Sequence, residues 1–169
     1  IERCLQLLKP GGRLAIVLPD SILSNPGLAF IRRWVLKRAR IIASVDLPQV
    51  TFEPYTGTQT SVLLLQKKTR EEMEVEQELG RQRPYEVFMT TPQAVGHDRR
   101  GDPHYLRTPE GELIEFEKEI TVTRRNLEGA YVTETRVRRA REVFDQLPEV
   151  VRYFSDWVNK GDRMRWLNE

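Results

Sequence analysis

The stretch that most constrains this chain is Lys9-Pro10-Gly11-Gly12-Arg13, followed at once by Leu14-Ala15-Ile16-Val17-Leu18-Pro19-Asp20. Ile1, Cys4, Leu5 and Leu8 precede it at the i, i+3, i+4, i+7 spacing of one helical face, and Pro10, Gly11 and Gly12 cannot continue that helix cheaply. The apolar run beyond the turn does not alternate, which predicts a strand covered on both faces, as inside an α/β sheet. Ligands in such sheets bind at the carboxyl edge of the strands. On this strand that edge is Pro19-Asp20-Ser21.

Residues 8–68 continue the same logic. Ser24-Asn25-Pro26 predicts a helix start, with Asn25 as N-cap and Pro26 at the first helical position, and Leu28, Ile31, Trp34 and Val35 supply its apolar stripe. Arg32, Arg33, Lys37, Arg38 and Arg40 crowd the rest of this helix. A solvated face with cations near the negative helix end accounts for them, and phosphate contact is the functional alternative. Arg40-Ile41-Ile42-Ala43-Ser44-Val45-Asp46-Leu47-Pro48 reads as a second strand, completing a strand-helix-strand unit. A polar loop over residues 49–60 carries Phe52 and Tyr55, and Ser61-Val62-Leu63-Leu64-Leu65-Gln66-Lys67-Lys68 then reads as a buried strand ending in exposed lysines. Without a helical crossover in the loop, an antiparallel return is expected.

Beyond this unit the pattern weakens. Glu71, Glu72, Glu74, Glu76 and Glu78 mark a surface connector, either helical or mobile, Tyr85-Glu86-Val87-Phe88-Met89-Thr90 a further strand, and residues 95–105 an exposed charged loop turning at Gly96, Gly101 and Asp102-Pro103. Glu112-Leu113-Ile114-Glu115-Phe116 suggests a short strand. Thr133 is expected to cap a helix in which Val137, Ala140, Phe144 and Leu147 share a face. Pro148 ends it and starts another, with Phe154, Trp157 and Val158 on its stripe and Gly161 as its stop. The expected organisation is a sheet unit over 1–68, a connector with short strands and charged loops over 69–131, and a helical tail over 132–169.

Composition decides little by itself. With 27 Lys and Arg against 25 Asp and Glu, the net charge of +2 neither demands nor excludes a polyanion, so evidence for nucleic acid must be local. Cys4 stands alone, which excludes an intramolecular disulfide and favours a reducing, cytoplasmic setting. His97 and His104, even with Asp98 and Asp102, are too few for a metal site without sulfur partners. No window approaches the length of apolar residues that a membrane helix needs, and no signal-peptide pattern opens the chain. Ile1 already lies inside a helical pattern without an initiator Met, which reads as a fragment with residues missing upstream.

Three segments together carry a family resemblance: residues 7–20 through the Lys9-Pro10-Gly11-Gly12 turn, Ala43-Ser44-Val45-Asp46-Leu47-Pro48, and Thr51-Phe52 through Thr56-Gly57-Thr58-Gln59-Thr60-Ser61-Val62-Leu63. In this order the chain resembles the C-terminal half of a Rossmann-like S-adenosylmethionine-dependent methyltransferase sheet with an α-helical C-terminal extension. More narrowly, it resembles an N6-adenine DNA methyltransferase, the modification subunit of a type I restriction-modification system. Gly96-His97-Asp98-Arg99-Arg100-Gly101 also resembles a segment that follows the catalytic domain in those subunits.

The resemblance implies an α/β fold and a flipped adenine, because the exocyclic amine is out of reach inside the stack. It implies that Phe52 stacks on the bare base, with Pro19, Asp20 and Tyr55 around it; a core-anchoring Phe52 and a turn-capping Asp20 are the structural alternatives. Thr56, Thr58, Gln59, Thr60, Arg32 and Arg33 are the implied contacts to DNA or within the loop. The family's acceptor tetrapeptide and its glycine-rich cofactor loop are expected upstream, so S-adenosylmethionine would be bound mainly outside this chain and no catalytic residue is assigned within it. The implied partners are double-stranded DNA, a specificity subunit and a restriction subunit. The alternatives are a methyltransferase for RNA, protein or a small molecule, since fold does not fix substrate, and a DNA-contacting or subunit-docking module without catalysis of its own.

Overall fold

The computed structural model describes residues 1–127 and 129–160. Helix α1 (Glu2–Leu7) stops at Leu8, and Gly11 takes φ +73°, a left-handed value that glycine adopts without a Cβ penalty. The chain continues through β1 (Arg13–Pro19), α2 (Asp20–Ser24), a 3-10 turn (Pro26–Leu28), α3 (Ala29–Arg38) and β2 (Ala39–Asp46). Asn25 caps the 3-10 turn as expected, its side chain accepting from the Gly27 N–H at 2.8 Å. A second 3-10 turn (Gln49–Phe52) opens the loop to β3 (Thr60–Lys67), and α4 (Arg70–Leu79) and β4 (Phe88–Thr90) follow.

These four strands form one sheet in the order β1-β3-β2-β4. β3 runs antiparallel to β1 and β2, as the short loop predicted, and β4 runs parallel to β2. Its central place explains the near-continuous burial of β3, with Leu63 5% and Leu65 0% exposed. Leu5 of α1 and Val35 of α3 join Leu18, Ala39, Leu63 and Leu65 in the core, with Leu14, Ile16, Ile31 and Trp34 packed against it. Each aliphatic side chain buried there stabilises by about 1.5 to 3 kcal/mol, which is what holds α1 and α3 to the sheet.

Three expectations change in and around this sheet. β1 is covered on one face: Leu14, Ile16 and Leu18 turn inward to the cluster with α1 and α3, whereas Arg13, Ala15, Val17 and Pro19 on the other face are exposed. Of the two lysines ending β3, Lys68 is buried rather than exposed, its Nζ donating to Leu36 O at 2.7 Å and to Glu76 Oε2 at 2.6 Å. Of the two readings of the glutamate-rich connector the helical one holds, and the Lys68–Glu76 pair anchors that helix to the sheet. Thr69 and Glu72 form a capping box at its start, Gly80 ends it with φ +62°, and Glu72 also pairs with Arg40, which lies in β2 rather than on the basic helix.

The largest correction lies near the end of the chain. The helix expected from Thr133 is strand: β5 (Glu115–Arg125) and β6 (Tyr131–Arg141) pair antiparallel over their whole length as a separate two-stranded sheet. β-branched Ile120, Thr121, Val122 and Thr123 face Arg136, Thr135, Glu134 and Thr133, and Arg124 reaches Glu134 at 2.6 Å. Such cross-strand partners favour a sheet where the apolar helical stripe has nothing to pack on. Helix α5 (Leu147–Asn159) starts with Pro148 in its first turn, and its Phe154 and Trp157 rings close on Phe88 of β4 at 5.4 and 5.9 Å. The expected stop at Gly161 lies outside the described residues. Among the described residues, no helix is long and apolar enough to cross a membrane.

Candidate functional site

The carboxyl ends of β1 and β2 meet the start of β3 at one sheet edge. Pro19 pairs with Thr60 and Asp46 with Ser61 in the strand register, which lines up the first strand's end, the second strand's end and the close of the intervening loop. The loop is stitched to this edge through its backbone: the Asp20 N–H donates to Gln59 O at 2.9 Å and the Leu47 N–H to Thr60 O at 3.0 Å. Pro19, Asp20, Gln59 and Thr60 are thereby brought together as the sequence suggested.

Within the loop, the 3-10 turn ends on Phe52, whose carbonyl accepts from the N–H groups of Tyr55 and Thr56, both at 3.0 Å. Phe52 is 38% exposed and Tyr55 96%, so neither ring is a buried anchor and Tyr55 has almost no packing to orient it. Thr56 and Thr58 join their hydroxyls at 3.0 Å, and Gln49 Nε2 holds Gly57 O at 3.2 Å, so these residues shape the loop itself. Asp20 serves the turn in part, since Ser24 Oγ donates to its Oδ2 at 2.9 Å.

Arg32 and Arg33 do not join this cluster through any direct bond. Arg32 Nη1 donates to the carbonyls of Ile22 and Asn25 at 2.9 and 2.8 Å, closing the link between α2 and α3. Arg33 lines a groove of about 1080 Å³ between α1, α3 and α4, together with Lys67 and Lys68. Those lysines end the antiparallel β3, so this groove lies at the opposite edge of the sheet from the carboxyl ends of β1 and β2.

Three residues that sequence reasoning passed over complete the edge. Asp46 ends β2 and accepts from Ser61 Oγ at 3.2 Å and from Gln59 Nε2 at 3.5 Å. Its signal was present: an acid at the end of a strand that shares an edge with Asp20. Glu53, next to Phe52, holds Oε2 buried without a hydrogen bond, with Arg99 Nε 3.8 Å away. No local pattern links positions 53 and 99; only the fold brings them together.

That contact belongs to a larger one. Residues 95–105 are an ordered turn, closed by the Asp98 N–H on Asp102 O at 2.9 Å and the Gly101 N–H on Asp98 O at 3.0 Å. Gly101, at φ +84°, lies against the loop, where a Cβ on it would stand 3.5 Å from Pro54 Cδ. The Arg100 and Asp102 N–H groups donate to Asp98 Oδ1 and hold its carboxyl below the usual carboxylate range.

Chemically the edge is rich in acceptors. Asp20 and Asp46 make no ion pair among the described residues, and Thr60 Oγ1 is buried without a partner, at a cost of about 1 to 3 kcal/mol while it stays so. Unpaired carboxylates, on an edge whose closing loop carries an exposed aromatic ring, suit a planar, hydrogen-bond-donating ligand better than a phosphate. Among the described residues no group of three His, Cys, Asp or Glu is placed to hold a metal ion.

An α/β sheet presenting such a ligand edge at its strand ends defines a broad class of ligand-binding α/β proteins. Residues 1–89, over half of the 169, match the N-6 DNA Methylase family, and the chain belongs to that family. The methylase subunit of the type I restriction enzyme EcoEI from Escherichia coli is 32% identical over 68 residues, which cover 40% of this chain. The chain spans only 14% of that relative's length. Among solved structures, a protein of Listeria monocytogenes assigned as a class I S-adenosylmethionine-dependent methyltransferase shares 23% identity at a TM-score of 0.41, covering 53% of this chain and 24% of its own.

Proposed function

We propose that this chain supplies the target-base side of an S-adenosylmethionine-dependent DNA adenine-N6 methyltransferase, within the modification subunit of a type I restriction-modification system. The observation that carries the reading is the half-open Phe52 ring on a loop stitched to the carboxyl edge of the sheet, in a chain of the N-6 DNA Methylase family. A methyl group can reach the adenine amine only after the base leaves the stack, and the pocket must then replace what the stack provided. Stacking on an aromatic ring returns about 1 to 3 kcal/mol per base, comparable with the few kcal/mol spent on unstacking. Phe52 takes that role. Pro19, Asp20 and Asp46 form the rim, where the carboxylates accept from N–H groups of the extruded base. Tyr55, exposed on the same loop, meets DNA flanking the base, and Thr56 and Thr58 hold the loop in shape.

S-adenosylmethionine supplies the methyl group in this reading, but the glycines present do not cradle it. The Gly11 N–H donates to Lys67 O at 2.9 Å and Gly12 O accepts from the Lys67 N–H at 2.8 Å, which ties both to the edge away from Phe52. The cofactor is left to parts of the modification subunit outside this sheet edge, and no step is assigned to this chain through it. The partners are double-stranded DNA, a specificity subunit and a restriction subunit, in the cytoplasm, as the type I assignment of the Escherichia coli relative suggests.

The test is Phe52→Ala in the full-length subunit, followed by 2-aminopurine fluorescence at the target position and by methyl transfer. Loss of both the fluorescence rise and methylation is expected. Unchanged flipping with unchanged methylation would remove Phe52 from the role and the reading with it.

A further inference from the structure

The β5–β6 ribbon is the largest feature that the target-base reading leaves without a task. Each strand has 11 residues, so at about 3.4 Å per residue the ribbon extends about 37 Å, near the length of one turn of duplex DNA. Among the described residues, none on either strand is buried. A two-stranded ribbon without a buried residue has no core of its own to stabilise it, so packing constrains its surface chemistry little.

That chemistry differs between the faces. The register places Lys118, Arg124, Arg136 and Arg138 on one face with Glu134 as its one carboxylate, four positive charges against one negative. The other face carries Arg125, Arg139 and Arg141 against Glu115, Glu117 and Glu119, three against three. On the first face Glu134 is already shared, at 2.6 Å from Arg124 and 2.9 Å from Arg136. Lys118 and Arg138 stand directly opposite each other, and neither makes an ion pair among the described residues. Like charges in directly opposed positions destabilise a strand pair. Lys118 and Arg138 are themselves exposed, although Ile120, Val122, Glu134 and Ala140 on the same face are half-buried, so a polyanion could reach the pair and relieve that cost.

The root of the ribbon lies close to the target-base loop. Val143, two residues beyond β6, packs on Gly96, where a Cβ would stand 3.2 Å from Val143 Cγ1, and the turn that follows Gly96 places Gly101 against Pro54. One continuous set of contacts thus joins the ribbon to the segment next to Phe52.

We propose that the cationic face of the β5–β6 ribbon is a contact surface for duplex DNA, with the opposed Lys118 and Arg138 taking backbone phosphates beside the flipped base. This rests on the DNA substrate proposed above and adds to it a second, sequence-independent contact. A two-stranded ribbon fits the major groove, and neutralising phosphates releases counterions, so the contact weakens steeply with salt.

The test uses the full chain, a fluorescein-labelled 30-base-pair duplex of mixed sequence, and anisotropy across a potassium chloride series. Lys118→Gln with Arg138→Gln is expected to weaken binding at least tenfold at 100 mM salt and to flatten the log-log salt slope by about 2, near 0.9 per lost phosphate contact. Arg125→Gln with Arg139→Gln removes the same charge from the other face and is expected to change binding less than twofold. The exchange Lys118→Arg with Arg138→Lys keeps the charge and is expected to keep binding, which separates charge from folding damage. Equal losses from both faces would reduce the effect to net charge and overturn the proposal. Unchanged binding in every variant would overturn it too, in favour of a ribbon that docks protein, and would leave the Phe52 reading standing. A native chain that binds no duplex also overturns it, and the Phe52 reading is then decided separately by methylation in the full-length subunit.

Discussion

The sheet of β1 to β4 and the ribbon of β5 and β6 satisfy strand backbones under opposite conditions. In the sheet, β3 lies between two partners, Leu65 is fully buried, and even a charged side chain, Lys68, is taken inside with two acceptors of its own. In the ribbon, two strands pair only with each other and their side chains meet water on both faces. The sheet is specified by burial and tolerates little change. The ribbon is specified by cross-strand partners, each worth a fraction of a kcal/mol to about 1, so its residues are left open to serve a surface function.

If that contrast holds, the largest effect belongs to Lys68. Lys68→Ala leaves the Glu76 carboxylate without its buried cation, while the Leu36 carbonyl keeps Gln82 Nε2 as a donor, and unfolding free energy in denaturant should fall by about 3 to 5 kcal/mol. A loss below about 1 kcal/mol would place Lys68 among ordinary surface lysines and erase the contrast.

Phe52→Ala separates site from scaffold. It should cost about 1 to 3 kcal/mol in binding of an extruded base while leaving the thermal midpoint nearly unchanged, because the ring is already 38% exposed. A collapse of the midpoint would return Phe52 to a packing role. A smaller effect is expected at the start of α4, where Thr69→Ala removes the capping box and should cost about 1 kcal/mol in thermal unfolding.

The smallest effect is expected in the ribbon. Hydrogen bonds from Arg136 and then Arg124 hold the Glu134 carboxyl below its ordinary range. A depressed folded value means that this carboxylate stabilises the ribbon above its unfolded pKa and stops doing so as pH falls through the folded one. The Glu134 side-chain carbon should therefore titrate below a free glutamate in NMR, and Glu134→Gln should leave the thermal midpoint of the chain within error. A midpoint drop comparable with that of Thr69→Ala would show a ribbon held by more than its surface.

The difference between the regions also explains what could be read from sequence. The Lys9-Pro10-Gly11-Gly12 turn, the unalternating run of β3 and the Asn25 cap each have a local physical cause, and the structure has them where expected. Coverage of β1 and burial of Lys68 were misread because burial of an edge strand and of a terminal lysine depends on neighbours distant in the chain. Over residues 131–141, Val137 and Ala140 share a helical face but point to opposite faces of the strand, and the deciding partners sit on β5, across the turn. The candidate site was legible in part: Pro19, Asp20, Gln59 and Thr60 gather at one edge with Asp46, and Phe52 lies on the loop that closes there. The approach of Arg99 to Glu53 was not, since that pairing exists only once residues 95–105 fold back on the loop.

The most direct test of the central claim is photo-crosslinking with 5-iodouracil in place of the target adenine, in a duplex bound by the full-length modification subunit with its specificity partner. An iodinated base stacked on Phe52 should crosslink to it, and mass spectrometry of the digest should find the adduct within residues 49–57, abolished by Phe52→Ala. Crosslinks that fall elsewhere in the subunit, and persist in the alanine variant, would contradict the assignment of this sheet edge to the flipped base.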